Sequence, residues 1–370
     1  MMTNSRLIKQ FIDLVKIDSE TKHEREIADY LTGIFEQLGL TVKEDQANKG
    51  TDHVAGNLIC ELEGKNEEKD AIFFTSHMDT VVPGKGINPI LEDGYIKTDG
   101  TTILGADDKA GLASMIETIH LIKEKEIKHG KITFLITFGE ESGLVGSSKF
   151  NITKLDAKYG YALDSDGDVG KITVAAPAQA KLFITVFGKS AHAGLHPEKG
   201  ISAIFIAAKA IAKMKLGRID EDTTANIGRF EGGRQTNIVC DEVQVVAEAR
   251  SLSSTKLEKQ VEHMCETFKQ VAKEMGSSSK IAVKHMYPGY HFSEKDPVIE
   301  KAVIAINKIG LKPSLVRSGG GSDANHLSGK GVPTINLAVG YEDIHTVNEK
   351  IKIKELEKIP FMLLSIIEEA

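Results

Sequence analysis

Four short apolar runs rich in β-branched and aromatic residues each lead into an acid or a histidine, and this recurring junction constrains the fold more than any other feature. Residues 71–76 run into His77-Met78-Asp79, residues 131–138 into Gly139-Glu140-Glu141, residues 159–163 into Asp164, and residues 333–340, after a short loop, into His345. Runs of this length and composition read as strands buried on both faces, as in parallel sheets covered by helices. A helical stretch over residues 109–123 lies between two of them. Residues 5–38 carry Leu7, Phe11, Leu14, Val15, Ile27, Leu31, Ile34 and Phe35 at helical spacing. The chain is therefore read as α/β, with a mixed, largely parallel sheet flanked by helices.

From about residue 178 the pattern changes. A strand over 180–188, a helix over 197–216, alternating runs over 223–230 and 237–251, a helix over 256–275 and a strand over 280–286 spell βαββαβ, a compact α+β domain. A helix over 297–309, a glycine-rich turn over 318–323, the apolar run and a closing helix over 353–368 then return to the first pattern. The expected organisation is a discontinuous catalytic domain, residues 1–177 and 294–370, with residues 178–293 inserted. A length of 370 residues, at roughly 150 per domain, agrees with two.

Composition removes whole classes of partner. Forty-six basic against 53 acidic residues leave a net charge of −7, and the lysines are scattered, so nucleic acid is not expected. No apolar run approaches the roughly 20 residues that span a bilayer, so no membrane is expected either. Residues 1–20 lack a secretory pattern. Cys60, Cys240 and Cys265 are odd in number with no close pair, which suits a reducing compartment; the expected location is cytoplasmic.

Working residues of open α/β sheets gather beyond the carboxyl ends of the strands. Four such ends would bring His77, Asp79, Glu140, Glu141, Asp164 and His345 to one edge, joined by Asp107-Asp108 where the helix from Lys109 begins. Each acid alone reads as a loop or helix-cap residue. Together, without a cation, they would repel one another and raise their pKa values. Two histidines with three carboxylates and no thiolate suit zinc, with manganese or cobalt as substitutes. Two divalent ions would balance Asp107, Glu141, Asp164 and one hydroxide, leaving Glu140 free as a base. Other signals fail: Asp164-Ser165-Asp166-Gly167-Asp168 begins like a calcium loop but has Val169 and Ala175 where that loop wants Gly and Glu.

His77-Met78-Asp79-Thr80, Gly105-Ala106-Asp107-Asp108-Lys109-Ala110-Gly111, Glu140-Glu141, Asp164, Ser190-Ala191-His192-Ala193-Gly194 and His345-Thr346 together resemble the co-catalytic di-zinc exopeptidases. That family includes aminoacylase, glutamate carboxypeptidase and peptidase T, and the chain looks closest to the peptidase T-like branch. The resemblance implies that Asp107 bridges two zinc ions, that His77 and Asp164 complete one site, and that Glu141 and His345 complete the other. Asp79 would hold His77 through its carboxylate, and the bond between Asp107 and Asp108 would be cis. Glu140 would take a proton from the metal-bridging water that attacks the amide carbonyl and pass it to the leaving nitrogen.

The inserted domain would act as a lid and form a homodimer contact. His192 would stabilise an oxyanion, in dimeric relatives that of the neighbouring subunit's site. Asn237 on one strand and Arg250 later on it would face substrate, Arg250 gripping a carboxylate. The implied activity is aminopeptidase action on short peptides, that of a tripeptidase. The alternative is an N-acyl-amino-acid deacylase or carboxypeptidase of the same family. Ser165-Asp166 stands where peptidase T carries two glycines, which bears on tripeptide preference. An inactive, metal-bound peptide-binding protein would be marked by a lost base or ligand, and every such position here has the needed side chain.

Overall fold

The apolar spacing of residues 5–38 resolves into two helices, Ser5–Val15 and Arg25–Gln37, which bury Leu7, Phe11, Leu14 and Val15, then Ile27, Leu31 and Phe35. The computed structural model describes residues 5–370; the first four residues of the expected catalytic domain lie outside the described residues. Strands Ile72–His77 and Ile132–Thr137 are buried along their whole length, as continuous apolar runs require. Four strands run parallel at the centre of the sheet, in the order Ile132–Thr137, Ile72–His77, Tyr159–Ser165 and Thr334–Ala338. Leu58–Leu62 and Thr41–Glu44 continue the sheet antiparallel on one side, and Lys171–Ala176 pairs antiparallel on the other. The expectation of a mixed, largely parallel α/β sheet is met.

Local departures have local causes. The helix expected from residue 109 starts at Ala106 and runs to Glu124, with Asp107 and Asp108 outside helical φ/ψ in its first turn. The stretch 197–216 is a short 3₁₀ turn, Pro197–Lys199, followed by a helix, Ala203–Lys213. Gly200 adopts an extended conformation between them, and the Ser202 side chain accepts the Phe205 N–H as a new cap. The run 237–251 is strand only over Glu242–Ser251, so Asn237 lies in the preceding turn and not on the strand with Arg250.

The chain divides into two compact units. The first comprises residues through Ala175, Phe292–Ser318 and Ser322–Ala370; the second comprises Ala176–His291 with Gly319–Gly321. The second unit's sheet is antiparallel, in the order Gly217–Arg218, Thr223–Gly232, Glu242–Ser251, Ala178–Phe187 and Ser279–Tyr287. Leu182, Ile184 and Val186 pack with helix residues Leu257, Met264 and Phe268 in the unit's core, while Phe183 and Phe187 on the alternate face stay exposed. Among the described residues no helix is long and apolar enough to cross a membrane.

Candidate metal centre

Parallel strands deliver their last residues to one edge, and here the first unit concentrates charge there. His77 ends its strand, Asp164 is next to last in Tyr159–Ser165, Glu140 and Glu141 follow Ile132–Thr137, and His345 lies beyond Thr334–Ala338. Asp107 arrives from the first turn of the helix Ala106–Glu124, and the Asp107-Asp108 peptide bond is cis, as the resemblance implied. Asp107 stands between two imidazoles: Oδ1 is 2.9 Å from His77 Nε2, and Oδ2 is 3.3 Å from His345 Nε2. Glu141 lies 3.0 Å from His345 Nε2, and Asp164 lies 3.9 Å from His77 Nε2. His77, Asp107 and Glu141 each offer a donor atom within 4.8 Å of the others. Asp108 points away and accepts the Ser76 hydroxyl at 2.5 Å.

The electrostatics follow from burial and crowding. Burial pushes Glu140 and Asp164 well above the carboxylate range, with neighbouring acids adding to the shift. Glu141 also rises through burial, although its bond to His345 opposes this. Burial works against a charged His77, yet Asp107 and Asp79 hold it well above its ordinary value. His345 is raised to about 10 by its bonds to Asp107 and Glu141. A field that binds protons to imidazoles this strongly is one in which a cation would be stabilised.

The donor set tests whether a metal fits. His77 Nδ1 lies 2.9 Å from the Asp79 carbonyl, which can only accept, so Nδ1 carries the proton. In the neutral ring Nε2 then presents a lone pair toward Asp107 and Asp164. A divalent ion taking the place of the Nε2 proton would meet that lone pair and the carboxylate oxygens together, a donor set that suits it.

The Asp79 carboxylate is 3.6 Å from His77 Nδ1, farther than its own carbonyl. Its oxygens instead accept the N–H groups of Glu140, at 3.1 Å, and Glu141, at 3.3 Å. Asp79 therefore meets His77 with its carbonyl and, at ion-pair distance, with its carboxylate, whose oxygens also hold the glutamate pair.

Several neighbours escaped the sequence reading. The buried Tyr341 hydroxyl donates to Asp164 Oδ1 at 2.9 Å, and Asn336 Oδ1 accepts the Asp164 N–H at 2.9 Å. Asp323, 4 % exposed, takes the Thr137 hydroxyl, and its charge adds to that around Glu140. Glu24 lies 2.5 Å from His53 Nδ1, and His53 Nε2 meets the Ser142 hydroxyl at 3.2 Å, beside the Glu140-Glu141 turn. Asp323 follows a visible glycine-rich turn; the others left no recognisable spacing.

The three remaining expected residues belong to the second unit. His192 Nδ1 accepts the N–H groups of Gly194 and Leu195, each at 3.2 Å, which leaves the proton on Nε2. The Asn237 carbonyl accepts the Ala193 N–H at 2.9 Å, so these two segments lie side by side. Arg250 is not an open fork. Glu248, two residues along the same strand face, takes its Nε at 2.9 Å and Nη2 at 3.3 Å.

Fold and site together define a hydrolase built to work through bound metal. Residues 73–369 match the model of peptidase family M20/M25/M40; the chain belongs to that family and is a metallopeptidase. A solved aminopeptidase PepT from Bacillus cereus is 61% identical with a TM-score of 0.93, covering 98% of each chain. A tripeptidase structure from Staphylococcus aureus is 48% identical with a TM-score of 0.96, covering 100% of this chain and 99% of its own. Peptidase T of Clostridium perfringens strain 13 is 29% identical, with 97% of both chains aligned.

Proposed function

We propose that the protein is an aminopeptidase that removes the N-terminal residue from short peptides, tripeptides foremost. The observation that carries the proposal is Asp107 facing two imidazoles with its two oxygens while the Glu140-Glu141 pair closes the same edge. The similarity to the Bacillus cereus aminopeptidase and the Staphylococcus aureus tripeptidase, near full length in both, supports the substrate class.

In this reading His77 and Asp164 would hold one zinc ion, Glu141 and His345 a second, and Asp107 would serve both. Bound there, the ions supply Lewis acidity, polarising the scissile carbonyl and making water acidic enough to give up a proton near neutrality. Glu140 accepts the proton of the attacking water and returns it to the leaving nitrogen. Asp79 keeps Glu140 in place by accepting its N–H. His192, with its proton on Nε2, is a donor for the developing oxyanion. Arg250 enters only by exchanging Glu248 for a substrate carboxylate. We also propose that the second unit is the lid and carries a homodimer contact, supported by Phe183 and Phe187, exposed on the same sheet face.

The test is hydrolysis of tripeptides, dipeptides and N-acetyl amino acids by protein stripped of metal and refilled with zinc, manganese or cobalt. Metal-dependent release of the first residue from free tripeptides is expected. Cleavage of the acetylated compounds alone would replace the aminopeptidase reading with a deacylase, and no cleavage with any metal would remove both.

A further inference from the structure

Glu349 is 2 % exposed, and no step of the proposed chemistry touches it. It stands four residues after His345, and its backbone N–H bonds back to the Thr346 carbonyl at 3.1 Å, so it belongs to the loop that presents His345. Its carboxylate reaches a segment more than two hundred residues away in sequence. Oε2 accepts the N–H groups of Leu104 at 2.8 Å and Gly105 at 2.7 Å, and Oε1 accepts that of Asp107 at 3.0 Å. These donors lie at the start of the helix Ala106–Glu124, where N–H groups lack intrahelical partners. Gly105 turns the chain there with φ +72°. One side chain thus ties the backbone carrying Asp107 to the loop carrying His345.

We propose that Glu349 is a positioning residue that fixes the spacing of Asp107 and His345, and through it the affinity of the centre for its cations. The proposal rests on the metal-centre reading above. A carboxylate offers acceptors only, which matches three N–H donors. Glutamine would turn an NH₂ group against at least one of them, and aspartate would keep the charge but fall one methylene short.

The experiment measures the zinc Kd of metal-stripped protein by competition with a chromogenic chelator, at a temperature where circular dichroism shows each variant folded. Glu349→Gln is expected to raise the Kd about 10- to 100-fold, the scale found for partners of metal ligands. When refilled at saturating zinc it should lose kcat with the peptide KM within about twofold. Glu355→Gln is the structural control: that carboxylate is also buried, accepts the Val169 N–H at 2.9 Å, and should lower Tm without moving the Kd. If Glu349→Gln does not fold, Glu349→Asp is measured the same way, with a weakened Kd expected. A wild-type Kd in either folded variant overturns the proposal while leaving the metal centre standing. Wild-type protein that takes up no zinc overturns both.

Discussion

Gly139, one residue before Glu140, is a position where the fold leaves little room for a side chain. Its φ is +60°, and a Cβ added there would sit 2.4 Å from His53 Cε1 and 2.9 Å from both ring nitrogens. The ring cannot swing aside freely, because Glu24 lies 2.5 Å from Nδ1, Ser142 lies 3.2 Å from Nε2, and Phe138 packs with its centroid 5.0 Å away. Two costs follow for Gly139→Ala. Left-handed backbone costs an L-residue about 1–2 kcal/mol. Overpacking against a held, buried ring costs about 1–3 kcal/mol more. The total of about 2–5 kcal/mol is a large part of the roughly 5–15 kcal/mol that holds a domain folded. Calorimetry of Gly139→Ala in the wild-type and His53→Ala backgrounds separates the two terms. The substitution should cost the full amount beside His53 and only the backbone share without it. Turnover of the folded single variant should fall by about tenfold or more, since Glu140 and Glu141 follow directly. A stability within about 0.5 kcal/mol of wild type, the margin of an ordinary surface change, would refute the reasoning. So would equal cost in both backgrounds.

Three further outcomes are expected. Tyr341→Phe deletes the hydroxyl on Asp164 and little else; a bond to a charged group, about 1.5–3 kcal/mol, predicts zinc affinity about 10- to 150-fold weaker, and a change below about twofold would count against it. Glu140→Gln should retain its metal while kcat falls by roughly 10²-fold or more, and unchanged turnover would strip Glu140 of its role. Lys131, 2.7 Å from Glu61, holds that carboxyl below its ordinary value. A depressed folded pKa stabilises above the unfolded value of about 4.3 and is lost as pH falls through the folded value. The Tm difference between wild type and Lys131→Met, largest near neutrality, should therefore shrink below about pH 4; a constant difference from pH 7 to 3 would contradict it.

Much of the scaffold is legible because its signals are local and repeated. Continuous β-branched runs give the buried parallel strands, and the acids and histidines after the runs place His77, Asp79, Glu140, Glu141, Asp164 and His345 at one edge. What escapes is set by less regular chemistry. Lys171–Ala176 is separated from the next strand by Pro177 alone, and Asp323–Gly329 is a seven-residue helix whose capping box uses Ser322 with Asn325 in place of the usual Glu or Gln. Pro197 suits a helix start and does begin a 3₁₀ turn, but Gly200 and Ser202 postpone the α-helix.

The deeper limit concerns what a carboxylate meets. Glu141 faces an imidazole, and a histidine in the sequence can announce that pairing. Asp79 and Glu349 face backbone N–H groups, which every residue except proline carries, so neither spacing nor residue type distinguishes them from ligands. The same ambiguity misdirects Asp79, whose carbonyl rather than carboxylate makes the short contact with His77. It also hides Glu248, whose claim on Arg250 follows from both side chains lying on one face of a strand, two residues apart. Residues that hold a site together are therefore the ones that only coordinates separate from residues that line it. Here they account for why Asp107, reached from a helix start, and His345, reached from a loop far along the chain, come within 3.3 Å of each other.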